Sequence, residues 1–233
     1  MIVYQDAHLL VLDKPVGIAT TAPAGDCLFA RARELDPSAP ALHPLSRLDT
    51  QVSGLTTFAR TELANRVALA ARKQGTLRRS YLGLAGVRPS PDEGEWHYAI
   101  GIDPRDPKRR CVSTAASAKP AHTRYRVFAG AGPIIAFDFW PVTGRTHQLR
   151  VHASAAGCPL LGDVAYGGTK RLTLVNGRIL SAQRVMLHCA AFRMPDPADR
   201  NKVIALSLPA PPDMAALFRD AGGDPAALTL RLA

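Results

Sequence analysis

Two short passages concentrate the polar chemistry of this chain. The first, HPLSRLDTQVSGL (residues 43–55), places Asp49 two positions after Arg47, among turn formers and small hydroxyl residues. The second, TGRTHQLRVH (143–152), carries Arg145, His147, Arg150 and His152. Asp49 suits three roles: a turn residue, a salt-bridge partner of Arg47, or the reacting carboxylate of an enzyme. Taken alone the first two prevail, because ion pairs are common and strongly perturbed acids are few. The catalytic role needs a partner that holds the carboxylate ionised and aimed. Arg145 and Arg150 lie at or near the start of a helical pattern, where positive charge opposes the helix dipole by up to about 1 kcal/mol. Solvent-facing guanidinium groups tolerate that. The sharper alternative is that one meets a buried carboxylate and the other a phosphate, both of which fit the planar donor fork. His147 and His152, five apart, are badly spaced as two ligands on one helical face and read as a capping or core pair.

Several chemistries are excluded by what is missing. There is no Walker A loop, no G-x-G-x-x-G, no H-E-x-x-H and no G-x-S-x-G. Cys27, Cys111, Cys158 and Cys189 are widely spaced without a C-x-x-C pair, which argues against a zinc ribbon, a thioredoxin-like site and any need for disulfides. Nucleotide hydrolysis and metal catalysis lose their support. Twenty-nine Lys and Arg against 19 Asp and Glu give a net charge of +10, which points to a polyanionic partner, nucleic acid ahead of an acidic membrane. At 233 residues, 47% hydrophobic, the chain suits one substantial domain or two small lobes sharing a core. The start, MIVYQDAHLLVLDKP, has none of the parts of a secretion signal, and no apolar window approaches about 18 residues. A cytoplasmic protein without a membrane span is the expectation.

The elements that must position these residues can be read from periodicity. HLLVLDKPVG is a strand running into a turn, residues 27–35 form a short helix, and GLTTFART and RSYLGLAGV are strands. TELANRVALAARKQG (61–75) is the clearest helix, with Thr61 as cap, Gly75 as stop, and Leu63, Val67, Ala70 and Ala71 as the apolar face. Residues 89–110 are turn-rich and end in a basic loop, DPRDPKRR. AHTRYRVFAG and PIIAFDFWPVTG form a strand pair, followed by a helix in THQLRVHASAAG that Gly157 ends. RVMLHCAAFRMPDP and NKVIALSLPA add two strands, and PDMAALFRDAGG a last helix. Strands dominate without β-α-β alternation. The expected class is α+β: a mixed, largely antiparallel central sheet flanked by helices and loops, in two sub-lobes with a cleft between them.

SRLDTQVSGL resembles the H-R-L-D-x-x-T-S-G-L signature of the RluA-type pseudouridine synthases. TGRTHQLRVHASAAGCPLLGDVAYGG is similar almost residue for residue to their later G-R-T-H-Q-[IL]-R-V-H…G-x-P-[IL]-x-G-D-x-x-Y-G signature. VLDKPVGIAT, RRSYLGLAGV and MLHCAAFRMPDP resemble three further segments, all in family order, from about residue 3 to about residue 208. Ser46 and Val52 stand where the family usually has His and Thr, and Arg79 and Ser80 replace the usual approach to the tyrosine. These departures bear on substrate choice.

The resemblance implies a single catalytic domain over residues 1–233, without a separate RNA-binding domain, that converts uridine to pseudouridine in rRNA or tRNA. That reaction breaks the glycosidic bond, turns the uracil and rejoins it through C5, after the nucleotide has been flipped out of the RNA. It assigns Asp49 as the reacting carboxylate, which splits one hard step into easier ones. Arg150 is the guanidinium that keeps Asp49 charged, with Arg145 the second choice, and Tyr81 stacks on the uracil and relays the C5 proton. Arg47 holds the flipped arrangement, and His147, Leu160 and Leu161 complete the substrate-binding set. Without the family, Tyr81, Leu160 and Leu161 read equally well as core residues. Neither cofactor nor metal is implied. RNA is the expected partner of a monomer, with no DNA and no membrane. Two alternatives stay open: an inactive RNA-binding or RNA-folding protein on the same scaffold, and an acid–base hydrolase using Asp49 with His147.

Overall fold

The computed structural model describes residues 1–23 and 25–230. In chain order its elements are β1 (Ile2–Gln5), β2 (Leu9–Lys14), α1 (Leu28–Leu35), β3 (His43–Pro44), β4 (Ser53–Ala59), α2 (Glu62–Lys73), β5 (Arg78–Ala85), β6 (Glu93–Trp96) and β7 (Ile100–Asp103). There follow β8 (Asp106–Val112), β9 (Thr123–Ala131), β10 (Ile134–Pro141), α3 (Gln148–Ala155), β11 (Arg171–Thr173), β12 (Ile179–Ser181), β13 (Leu187–Pro195), β14 (Val203–Ser207) and α4 (Pro212–Asp220). The class is α+β, and the elements fall into two compact units.

The first unit comprises Met1–Arg79 and Cys189–Leu208. Its strands run in the order β1-β2-β4-β13-β14, with β3 also on β4. The pairs β1·β2, β2·β4, β3·β4 and β13·β14 are antiparallel. Leu9 to Leu12 and all seven residues of β4 are buried, the mark of inner strands covered on both faces. Gly54 allows β13 to approach closely: at φ +112°, a Cβ there would lie 2.3 Å from the carbonyl oxygen of Cys189. Helix α1 starts at Cys27, whose sulfur accepts the Ala30 N–H, and packs Leu28 and Ala32 against Leu10, Leu12 and Phe58.

Helix α2 begins at Thr61, as its sequence requires, with Oγ1 accepting the Ala64 N–H. Its buried face differs from the expected one. Ala64, Ala68 and Ala71 are buried while Leu63 and Ala70 are exposed. An alanine stripe lets the helix lie close on β4, and that close approach outweighs the larger Leu63 side chain.

The second unit comprises Ser80–His188 and Pro209–Leu230. Strands β5-β10-β9-β6 form its antiparallel sheet. Alternation along β10 sends Phe137 and Phe139 to one face, stacked with ring centroids 5.0 Å apart, and Asp138 to the other. Trp96 stacks on Tyr125 at 4.3 Å. Each fully buried aromatic ring is worth about 1.5–3 kcal/mol. The stretch expected to end in a basic loop instead forms a hairpin. β7 pairs with β8 from Ile100↔Val112 to Asp103↔Asp106, and the Asp103 and Asp106 carboxylates, accepting the Arg105 and Lys108 N–H groups, shape the turn. The prolines read as loop formers occupy the turn and the strand edge, where a missing N–H costs nothing.

Candidate active site

The first chemical passage folds within the first unit. Residues 46–49 lie between β3 and β4, and their burial alternates: Ser46 and Leu48 are buried, Arg47 is exposed and Asp49 half-buried. The Leu48 N–H donates to Thr20 Oγ1 at 2.9 Å, and the Thr20 hydroxyl donates back to the Leu48 carbonyl at 3.0 Å. The turn closes through Val52 N–H to the Asp49 carbonyl at 3.0 Å, and Gly17 N–H to the Thr50 carbonyl at 2.8 Å. Neutral groups thus fix the backbone of Asp49. Ser46, one of the departures from the family pattern, accepts the Thr57 N–H of β4 at 3.4 Å. Val52, the other, is 2% exposed. Both are buried framework residues, a reason for their identity that does not involve substrate.

The second passage opens α3 in the second unit. Arg150 is 6% exposed, and its Nε and Nη2 donate to Asp163 Oδ2 and Oδ1 at 2.7 and 2.8 Å. Its guanidinium also lies 4.8 Å from the ring centroid of Tyr166. One arginine therefore does meet a buried carboxylate, and that carboxylate includes Asp163. Asp163 is brought there by LLGDVAYGG: Gly162 at φ +77° makes a turn in which a Cβ would sit 1.8 Å from the Arg184 carbonyl oxygen. A 3-10 turn over Val164–Tyr166 then swings the tyrosine onto Arg150. The Tyr166 hydroxyl accepts the Arg110 N–H at 3.0 Å and shares a 2.6 Å hydrogen bond with His147 Nδ1. Burial pushes this phenol's pKa up, against the opposing Arg110 N–H and Arg150 charge, so it stays protonated at neutral pH.

His147 sits at φ 56°, ψ 18°, the one left-handed residue other than glycine among the described residues. It precedes α3 without capping it through its side chain, which corrects half of the capping-or-core reading. His152 is the core histidine: fully buried, Nε2 at 3.0 Å from the Tyr98 carbonyl, its ring edge-on to Tyr98. Backbone strain of this kind costs on the order of 1–3 kcal/mol and persists only where its surroundings enforce it. Gln148 is part of that enforcement. Its Oε1 accepts from the Thr143 hydroxyl at 2.7 Å and the Arg145 N–H at 3.0 Å. Its Nε2 donates to the His122 carbonyl at 2.9 Å and Thr123 Oγ1 at 3.0 Å. All four amide valences are used. Arg145 is exposed, with Nε on the Pro120 carbonyl at 3.0 Å.

Tyr81 is buried on β5, opposite Phe139 of β10. Leu160 and Leu161 are each 1% exposed and bridge to the end of β5, Leu160 to Ala85 and Leu161 N–H to the Leu84 carbonyl. Within the second unit, then, the structure gathers Arg150 and His147 around Tyr166, and joins Leu160 and Leu161 to the strand that carries Tyr81. Arg47 and Asp49 belong to the first unit. Asp163, Tyr166 and Gln148 went unassigned at the level of sequence, although all three stand in the quoted motif. For Asp163 and Tyr166 the signal was an acid and a phenol in LLGDVAYGG, a run otherwise made of small and apolar residues.

The model of the family described as RNA pseudouridylate synthase matches residues 8–155. Among curated relatives, the dual-specificity RNA pseudouridine synthase RluA of Salmonella typhi is 33% identical over 210 residues, covering 87% of this chain and 90% of its own. The uncharacterized RNA pseudouridine synthase YhcT of Bacillus subtilis is 30% identical over 225 residues, covering 94% of this chain and 71% of its own. Among solved structures, human RNA pseudouridylate synthase domain containing 1 matches at a TM-score of 0.72 and 26% identity, over 93% of this chain and 86% of that one. Human RNA pseudouridylate synthase domain containing 4, at TM-score 0.74 and 22% identity over 95% and 92%, shares the fold. Fold and matches together define an isomerase acting on RNA. The chain belongs to the RNA pseudouridylate synthase family.

Proposed function

We propose that this enzyme isomerises particular uridines of rRNA or tRNA, with Asp49 as the reacting carboxylate and Tyr81 and Arg150 as its catalytic partners. The observation that carries the reading is the family match over residues 8–155, which spans the SRLD and GRTHQLR passages in order. The hydrogen-bonded turn around Asp49 supports it, since a carboxylate that must meet a reacting carbon needs a fixed backbone. In this reading Arg47 and the surface charge of +10 engage phosphates, Arg145 and His147 contact the substrate beside Arg150, and Leu160 and Leu161 border the base. The protein works in the cytoplasm as a monomer, on RNA rather than DNA and without cofactor.

Purified enzyme should release tritium from cellular RNA labelled at uridine C5, equally with and without EDTA. Asp49→Asn should lower that release by at least about a thousandfold with an unchanged thermal midpoint. Wild-type enzyme that binds unmodified RNA yet releases nothing would instead establish a binding protein. Pseudouridine mapping in cells with and without the gene would then name the RNA and position.

A further inference from the structure

β-strand alternation puts a second polar cluster on one face of the second unit, outside the passages that carry Asp49 and Arg150. Glu95 of β6 stands opposite Arg124 of β9, so their side chains share a face. Two residues on from Glu95 is His97, and two residues before Arg124 is His122, which the period of two brings to that same face. Both imidazoles turn Nε2 to a single oxygen: His97 lies 3.2 Å and His122 2.8 Å from Glu95 Oε2. Arg124 takes the other oxygen, Oε1, at 2.8 Å. The three ligand-type atoms all lie within 4.8 Å of one another.

We propose that Glu95, His97 and His122 form a binding site for a divalent transition-metal ion, zinc foremost. Two imidazoles and one carboxylate select zinc, nickel, cobalt or copper over magnesium and calcium, which prefer all-oxygen shells. Tetrahedral bonds of 2.0–2.2 Å require ligand atoms about 3.3 Å apart. Two of the three separations are already there or shorter, and the metal replaces the protons now shared with Oε2. The third contact needs a movement. The His97 and His122 rings are stacked, centroids 4.1 Å apart and planes 21° from parallel, so their lone pairs run side by side. Turning His97 makes them converge, and His97 is free to turn because its side chain is 63% exposed.

The rest of the site is prearranged. Arg124 fixes the carboxylate and leaves Oε2 for the metal. The backbone of His122 is tied on both sides, its N–H donating to Thr143 Oγ1 at 2.9 Å and its carbonyl accepting from Gln148. The neighbouring Trp96 is buried and Thr123 fully so, which gives the site a rigid floor. Three protein ligands leave a fourth position to water.

Zinc titration of the tag-free protein by calorimetry reads this directly, without reference to turnover. One equivalent should bind in the micromolar range, while His97→Ala and Glu95→Gln should weaken binding at least about tenfold. Cobalt should give weak visible bands without thiolate charge transfer, and Cys111→Ser should leave binding unchanged, which sets aside the one cysteine that is not buried. His97 is exposed, so its variant tests the site even if His122→Ala loses stability. Absence of binding up to about 1 mM zinc, or equal binding by wild type and His97→Ala, would overturn the assignment.

Discussion

Asp163 and Asp138 belong to the same unit, are 1% and 0% exposed, and are provided for in opposite ways. Asp163 accepts two hydrogen bonds from the equally buried Arg150, and its charge is answered on the spot. Asp138 sits at the centre of β10, and among the described residues neither of its oxygens accepts a hydrogen bond. Its cation, Arg126, is the cross-strand neighbour, half exposed and 3.8 Å away. Burial raises the Asp138 pKa and Arg126 offsets this only in part, which leaves it at about 7. Burial alone does not set the state of a carboxylate; donors within about 3 Å do. An enzyme that must keep a carboxylate charged in an enclosed site needs the first arrangement.

Removing one half of the paired arrangement should have the largest consequence. Asp163→Asn removes the carboxylate that accepts two hydrogen bonds from the buried Arg150 and should cost up to about 3–5 kcal/mol, read as a shift in the urea midpoint. Activity should fall as well, because the guanidinium loses the fork that orients it. Unchanged stability in this variant would break the contrast drawn between the two aspartates.

Asp138→Asn should act in the opposite direction and depend on pH. The folded pKa lies above the unfolded value, so below about pH 4 both states are protonated and the group costs nothing. As pH rises from about 4 to 7 the unfolded chain ionises while the folded one resists, and stability drains away. Relative to wild type, Asp138→Asn should therefore gain on the order of 2 kcal/mol between pH 4 and pH 8, after allowance for relaxation around the charge. Melting curves at the two pH values check this, and a pH-independent difference would show that folding does not shift the Asp138 pKa.

The smallest effect is expected from Tyr166→Phe. The ring stays beside Arg150, but the Arg110 N–H and His147 lose the hydroxyl they share, worth about 1–2 kcal/mol in a half-buried setting. If activity falls further than stability explains, the tyrosine contributes by fixing His147 in its left-handed conformation.

Much of the frame was legible. Thr61, Glu62 and the closing Arg72 and Lys73 announced α2, and the apolar run at Leu9–Leu12 announced an inner strand. The face of α2 was not, because Ala64, Leu63 and Ala70 are all apolar and periodicity cannot say which of them a neighbouring strand will cover. The β7–β8 hairpin was hidden by its prolines and aspartates, which form turns wherever they lie; strand pairing with Ile100–Asp103 was settled by contacts remote from propensity. Within the candidate site, Arg150 and its need for a carboxylate could be read, while Asp163, thirteen residues on, was brought to it by the turn at Gly162. Gln148 was invisible in a different way, since two of its four partners, at His122 and Thr123, lie about 25 residues back along the chain.

Taken by itself, the sequence determined the order of the elements, the passages around Asp49 and Arg150, and the family they define. Those follow from residue type and spacing along one chain. Tertiary structure decided that Arg150 carries Asp163 and Tyr166, that Ser46 and Val52 serve the framework, and that Glu95, His97 and His122 face one another. The reason is distance: charge pairing, hydrogen bonding and metal ligation act within about 3 Å, and only folding sets which of many suitable side chains come that near.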